Sequence, residues 1–222
     1  MFTLVKIFSA PTIMLDKYIT SLTTALSAEL PGFQAQKRML ALPRKPVAIP
    51  NSPETATAAA VLILLYQTGS DIQFYLTERT HSVENHKGQI SLPGGAQENH
   101  ETLPDTARRE TWEEIGVPVN SIHIIGKLTP LYVPMTSFMI HPFVGWVNPE
   151  PPTKPDPSEV NKLISVSLTS LINDKLEENE VRQIRGYEVL VPYFRFGQDK
   201  VWGATAMILA EFKLILKSVG ED

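Results

Sequence analysis

The chain contains no cysteine, which excludes disulfides, thiolate metal sites and a thiol nucleophile and agrees with a reducing compartment. It has no run of Lys or Arg, and its formal net charge is −4 over 222 residues. Both argue against a protein that grips nucleic acid through the phosphate backbone. The longest apolar run, AAAVLILLY at 58–66, is too short to span a bilayer. The opening MFTLVKIFSAPTIML is apolar but interrupted by Pro and Thr and has no basic stretch before it. It reads as a packed or frayed arm rather than a leader. A G-x-S-x-G elbow and a Walker loop are also missing, so neither a serine hydrolase of that type nor a P-loop enzyme is expected. The setting expected from these absences is cytoplasmic, without a membrane or nucleic-acid partner. A homodimer is compatible with the sequence.

The charge that is present is unevenly placed. Residues 94–117 hold six acidic residues (Glu98, Glu101, Asp105, Glu110, Glu113, Glu114) against Arg108 and Arg109, and the remainder balances at 18 against 18. Upstream, LDKYITSLTTALSAEL (15–30) spaces Leu and Ile at helical intervals and stops at Pro31-Gly32, which predicts an amphipathic helix. Residues 33–57 read as a connection. AVLILLY and IQFYLTE (72–78) flank QTGSD (67–71) as a hairpin with a buried first strand. GQISL (88–92), HIIGKL (123–128), IHPFVGWV (140–147), LISVSL (163–168) and YEVLVPYFRF (187–196) are further strands. NPEPPTKPDPSE (148–159) carries five prolines and reads as a long loop, and ATAMILAEFKLILKS (204–218) is a closing helix. Most connections are too short for a βαβ crossover, so a mixed or antiparallel sheet with helices packed on it, α+β in class, is expected. Residues 1–50 are assigned to a helical arm and connection, and 51–222 to the main domain.

Thr102 is a natural N-cap with Asp105 three residues on, Pro104 is tolerated in the first turn, and Gly116 is a natural stop. The helix is therefore expected at 103–115. At about 100° per residue, Glu113 and Glu114 lie on either side of Glu110. As a structural choice this is poor. Like charges at i,i+3 and i,i+4 cost roughly 0.2–0.5 kcal/mol a pair, and carboxylates in the last turn face the negative end of the helix dipole at roughly 0.3–1 kcal/mol each. Two readings stay open at this point. The glutamates form a solvated acidic face, or they hold a hard divalent cation, which would reverse the sign of each term and takes oxygen ligands.

The surroundings have the form G-x5-E-x7-R-E-U-x-E-E-x-G-U, carried by Gly95, Glu101, Arg109, Glu110, Glu113, Glu114, Gly116 and Val117, with Thr111 in place of an aliphatic residue. This resembles the Nudix box, the signature of Nudix hydrolases. The resemblance implies a Nudix-type α/β/α sandwich with a mixed sheet and a catalytic loop–helix–loop. It also implies Mg2+- or Mn2+-dependent hydrolysis of a nucleoside diphosphate linked to another group. By position, Glu110, Glu113 and Glu114 would be metal ligands, with Glu113 alternatively a base acting on water. Arg109 would orient Glu110, Glu101 would brace the loop or join the metal shell, and Gly94 and Gly95 would let the backbone turn tightly near the phosphates.

Upstream, YLTERTHSVENHKGQISLPGG (75–95) is similar to the second motif of coenzyme A pyrophosphatases, matching at Leu76, Thr77, Arg79, Gly88, Pro93, Gly94 and Gly95. Tyr75, Thr80, Glu84 and Leu92 depart from it, Glu84 by replacing an Arg. Similarity continues over about residues 30 to 215. It implies hydrolysis of coenzyme A or acyl-coenzyme A to 3′,5′-ADP and 4′-phosphopantetheine. The alternatives are the same chemistry on ADP-ribose, NADH or a dinucleoside polyphosphate, and a non-catalytic nucleotide-binding domain. Arg79 is a candidate phosphate ligand or a structural ion pair, and His86 a phosphate donor or a loop brace. Glu159 is a base, a further ligand or a solvated loop charge. Trp112, Trp146 and Trp202 are expected to pack, Trp112 by docking the helix on the sheet.

Overall fold

The structure is a computed structural model that describes residues 10–43, 53–80, 88–184 and 186–219, with side chains from 16 onward. The opening nine residues, His81, Glu84 and His86 lie outside the described residues. The chain runs α1 (Ala10–Ser27), α2 (Gly32–Gln36), β1 (Leu42–Pro43), β2 (Thr57–Thr68), β3 (Asp71–Arg79), β4 (Ile90–Ser91), β5 (Gly94–Ala96) and α3 (Leu103–Ile115). It continues with β6 (His123–Lys127), β7 (Leu131–Val133), β8 (Phe138–Val147), β9 (Val160–Ser167), α4 (Leu168–Ile172), β10 (Glu177–Ile184), β11 (Tyr187–Phe196), β12 (Asp199–Trp202) and α5 (Gly203–Val219).

The main sheet is mixed, as the short connections require. Strand β2 pairs in parallel with β8 over 57–66 against 138–147, and antiparallel with β3 around the Gly69-Ser70 turn. Only Leu65 to Thr68 of β2 pair with β3. Below Leu65 the two strands splay, and the glycine-containing segment enters the gap, with β4 on Thr77 and Glu78 and β5 on Ala59 to Val61. On its other side β3 carries β9. A smaller antiparallel sheet is built on β11, flanked by β10, β1 and β12.

The apolar run of β2 is explained by burial on both faces. Leu62, Leu64 and Tyr66 pack with Ala107, Ile115 and Val117 of the α3 region, Tyr75, Phe143 and Val147. Ile63 and Leu65 point the other way, into a core shared with Phe74, Leu76, α1 (Ile19, Leu22, Leu26) and α5 (Ile208, Leu209, Phe212). Helices on both faces of one mixed sheet make the α/β/α sandwich. Helix α5 is buried nearly all round, and its two buried charged residues are matched. Glu211 accepts from Gly32 N at 3.0 Å, Gln36 Nε2 at 2.9 Å and Thr129 Oγ1 at 2.7 Å, and Lys213 lies 2.7 Å from Glu177. Among the described residues no helix is long and apolar enough to cross a membrane.

Two readings of the sequence need amendment. Residues 33–57 contain α2, β1 and a turn of 3-10 helix at Lys37–Met39 as well as connection. Trp112 does not dock the helix: it is 52% exposed. The buried stripe of α3 is Thr106, Ala107, Thr111, Glu114 and Ile115. Ala107 and Thr111 are small enough to bring the helix close to β2, which leaves no room for an indole on that side. Trp146, by contrast, is half-buried 5.5 Å from the His123 ring, and Trp202 lies 4.8 Å beneath the Arg182 guanidinium.

Candidate active site

Helix α3 begins and ends where its caps dictate. Thr102 has extended backbone, and its side chain accepts from Asp105 N at 3.4 Å; Gly116 closes the helix in the left-handed conformation at φ 76°. Thr111, in the place of an aliphatic residue, donates to Ala107 O at 2.7 Å. Its hydroxyl is thereby satisfied inside the helix, and only its methyl-bearing side needs to pack.

Arg109 gathers three of the acidic side chains. Its Nε and Nη2 donate to the two oxygens of Glu101 at 3.0 and 2.8 Å, and its Nη1 donates to Glu110 at 2.8 Å and to Glu113 at 2.9 Å. Nη2 also reaches Ala96 O at 3.2 Å, which ties the helix to β5. Glu101 further accepts from Glu98 N and Thr106 Oγ1, each at 2.8 Å. Arg109 first, then these donors, bring its carboxyl down to about 2. Glu101 is fully engaged in bracing the loop ahead of α3. Glu113 touches Arg109 alone, with its side chain 43% exposed.

Glu114 is the exception. It is 3% exposed, and Thr77 Oγ1, at 3.4 Å, is its hydrogen-bond donor among the described residues. Burial first, then the charges of Glu110 and Glu159, push its carboxyl up to about 8, although Arg79 pulls the other way. Glu110 is also raised, by burial and by Glu113 and Glu159, against the pull of Arg109. Glu110, Glu159 and Arg79 thus all lie near enough to Glu114 for their charges to act on that spot. Glu159 arrives there because β9 pairs with β3: Thr80 N donates to Glu159 O at 2.9 Å, beside Arg79 opposite Val160.

The two glycines have distinct duties. A Cβ on Gly95 would lie 2.5 Å from the carboxyl carbon of Glu110, so glycine lets that carboxylate rest on the backbone. A Cβ on Gly94, at φ 153°, would lie 2.3 Å from Ala60 O, inside the β2–β5 pairing. Gly94→Ala is expected to cost about 3 kcal/mol of stability or more, from overpacking against backbone and an unfavourable φ. Gly95→Ala, which meets only the flexible end of a side chain, should remain within about 1 kcal/mol of the parent. Urea melts of both variants check this; equal losses would contradict the division of labour.

A divalent cation suits this donor set. A buried carboxylate with one long hydroxyl contact, beside two more carboxylates, is an uncompensated concentration of negative charge, and every donor is a hard oxygen. As they stand, no three His, Asp or Glu side chains among the described residues converge tightly enough to enclose an ion. Arg109 occupies one oxygen of Glu110 and one of Glu113. Glu110 and Glu159 thus lie within electrostatic reach of Glu114 without the three converging, and Glu113 is held by Arg109.

The family model described as NUDIX domain matches residues 56–187. Nudix hydrolase 15, mitochondrial, of Arabidopsis thaliana is 32% identical over 159 residues, covering 68% of this chain and 55% of that protein. The mitochondrial coenzyme A diphosphatase NUDT8 of Homo sapiens is 31% identical over 170 residues, covering 74% of this chain and 71% of that protein. The chain thus spans little more than half the length of the Arabidopsis relative. Among solved structures, a MutT/nudix family protein from Enterococcus faecalis superimposes with a TM-score of 0.51 over 95% of this chain and 76% of that one, at 15% identity. That likeness shows the fold alone.

Proposed function

The chain belongs to the Nudix hydrolase family, and from that premise we propose that it is a diphosphatase dependent on Mg2+ or Mn2+. In this reading it cleaves coenzyme A or acyl-coenzyme A to 3′,5′-ADP and the (acyl-)4′-phosphopantetheine. The observation that carries the chemistry is Glu114, a buried carboxylate facing Glu110 and Glu159 without a hydrogen-bonded cation. The choice of substrate leans on the likeness to a relative named as a coenzyme A diphosphatase.

Glu110 and Glu114 would hold the cation, which supplies neutralisation of the diphosphate oxygens and activation of water. Arg79, at the edge of that spot, binds diphosphate oxygens through its planar fork. Substitution at phosphorus asks for positioning and electrostatics rather than a covalent nucleophile. The proton of the attacking water passes to a carboxylate. Glu159 is favoured over Glu113 for this, because Glu113 is turned toward Arg109 and solvent while Glu159 shares the spot with Glu114. Glu113 instead fixes Arg109, which in turn holds Glu110 and Glu101.

A panel of coenzyme A, acetyl-coenzyme A, ADP-ribose, NADH and dinucleoside polyphosphates with Mg2+ or Mn2+, with products weighed by mass spectrometry, tests the reading. Release of 3′,5′-ADP from coenzyme A is the expected result. Cleavage of ADP-ribose or dinucleotides alone would overturn the substrate. Binding without cleavage of any member would favour a nucleotide-binding domain.

A further inference from the structure

Strand register places three polar side chains on the α3 face of the main sheet, beyond the part that α3 covers. The route to them runs along one row of paired residues. Glu110 rests on Gly95, Gly95 pairs with Ala60, and Ala60 pairs with His141 of β8. Residues in register on neighbouring strands point to the same face, so His141 is two strand spacings, about 10 Å, from the Glu110 end of the row. On the far side of β8, Lys127 of β6 pairs with Phe143, and Tyr132 of β7 pairs with Met139. Phe143 and Met139 flank His141 on its own face, which sets Lys127 and Tyr132 on either side of the imidazole. The floor between this group and the glutamates is Ala58 and Ala60, which present no bulk.

Nothing within the fold accounts for the group. The hydroxyl of Tyr132 is shielded from solvent and has no hydrogen-bond partner among the described residues. A buried hydroxyl left in that state is costly. No carboxylate among the described residues pairs with Lys127. Burial, and then the Lys127 charge, hold His141 below its ordinary pKa. An ammonium and an unsatisfied phenol on either side of an imidazole, with no acid paired to them among the described residues, form a donor set that lacks its acceptor.

We propose that Lys127, Tyr132 and His141 form a subsite for a second phosphoryl group of the substrate, the 3′-phosphomonoester on the ribose of a coenzyme A-type nucleotide. This rests on the reading of the glutamate site as a diphosphatase. The ribose is the only spacer between a 5′-diphosphate at the glutamates and a 3′-phosphate at His141, and the row spans a separation of that order. A phosphate dianion accepts from all three side chains, and charge-assisted bonds to it are the strong kind. The subsite would set specificity. ADP-ribose and NADH lack a phosphate at this position and would leave the three donors unanswered.

The test uses the whole chain and two nucleotides, 3′,5′-ADP and 5′-AMP, titrated by calorimetry without added metal. The parent is expected to bind 3′,5′-ADP at least tenfold more tightly. Lys127→Ala and Tyr132→Phe should each shrink that preference severalfold, and the double variant should abolish it. Tyr132→Phe removes only the unpartnered hydroxyl, so its melting temperature should hold or rise, which separates a binding role from a structural one. Steady-state kinetics give a second readout: each variant should raise KM for coenzyme A severalfold more than KM for 3′-dephospho-coenzyme A. Equal affinity of the parent for the two nucleotides, or equal losses for both in the variants, would overturn the subsite. A preference for 3′,5′-ADP in a chain that cleaves no coenzyme A would sustain the subsite and sink the coenzyme A diphosphatase reading.

Discussion

Glu114→Gln is expected to lower kcat by about 10²–10⁴-fold, the range associated with loss of one essential acid–base or charge-stabilising group. The same variant should be more stable than the parent when no divalent ion is present. The carboxyl of Glu114 stands at about 8 in the folded chain against 4.5 for an ordinary glutamate, chiefly because it is buried. A folded-state pKa above the unfolded one means that the folded chain binds the proton more tightly. The stability penalty is therefore absent below about pH 4.5, grows as the pH rises toward about 8, and is full above it. At pH 8 and above the penalty is on the order of a few kcal/mol. The gain of the Gln variant should follow the same curve, small near pH 5 and largest near pH 8. Added Mg2+ or Mn2+ should invert the order, since an ion that binds only the folded parent stabilises it by mass action. Its affinity should also rise with pH, because the ligand must shed its proton. Melts across pH with and without the ion, alongside kcat, decide the matter. Near-parental turnover, or a variant whose stability gain does not change with pH, would remove Glu114 from the role given to it.

Replacing Arg109 should do the next largest damage, and to fold and rate together. Its guanidinium holds Glu101 by two bonds and Glu110 and Glu113 by one each, with the side chain 21% exposed. Arg109→Ala leaves three carboxylates within reach of one another without their shared cation. Loss of a fully buried partner costs about 3–5 kcal/mol; partial exposure brings the expectation here to about 2–3 kcal/mol. Glu101 carries its own marker. Its carboxyl, now near 2, should return toward the ordinary range once Arg109 is gone. Because the folded-state value is the lower one, the parent keeps this stabilisation above about pH 4.5 and loses it as pH falls toward 2. The difference between parent and Arg109→Ala should therefore narrow in acid. Freed from Arg109, Glu110 would wander from its seat on Gly95, and a misplacement of about 1 Å is enough for a loss of about 10²-fold in rate. Arg109→Lys keeps the charge but not the fork and should fall between the two. Unchanged melting and turnover in Arg109→Ala would show that the network is ornamental.

Helix α3 was legible residue by residue. Its bounds, 103–115, its Thr102 cap and its Gly116 stop all lie where the sequence placed them, because caps and stops act within one turn of the chain. The β2–β3 hairpin and the closing helix were legible for the same reason: their apolar periodicity is local. Strand β10 was not. EENEVRQI carries four charges in eight residues and reads as a solvated stretch. It is held as a strand by pairing with β11 and by cross-strand ion pairs such as Glu178 with Arg195 and Glu180 with Lys200. Trp112 misled in the opposite direction. Its size argued for burial, whereas the closeness of α3 to β2 reserved the inner face for Ala107 and Thr111.

The acidic helix, its length, its family and the oxygen-only character of its side-chain donors are all written in one contiguous stretch, since each depends on neighbours within a few residues. Which carboxylates share a charge-dense spot is a different kind of fact. Spacing alone put Glu110, Glu113 and Glu114 on one face. The packed molecule turns Glu113 out to Arg109, buries Glu114 against Thr77, and brings in Glu159 from 45 residues further along. Strand pairing between β9 and β3 makes that approach, and the same long-range register lines up Gly95, Ala60 and His141. Burial and field at a carboxylate depend on everything within a few ångströms of it, and for Glu114 most of that comes from other segments of the chain.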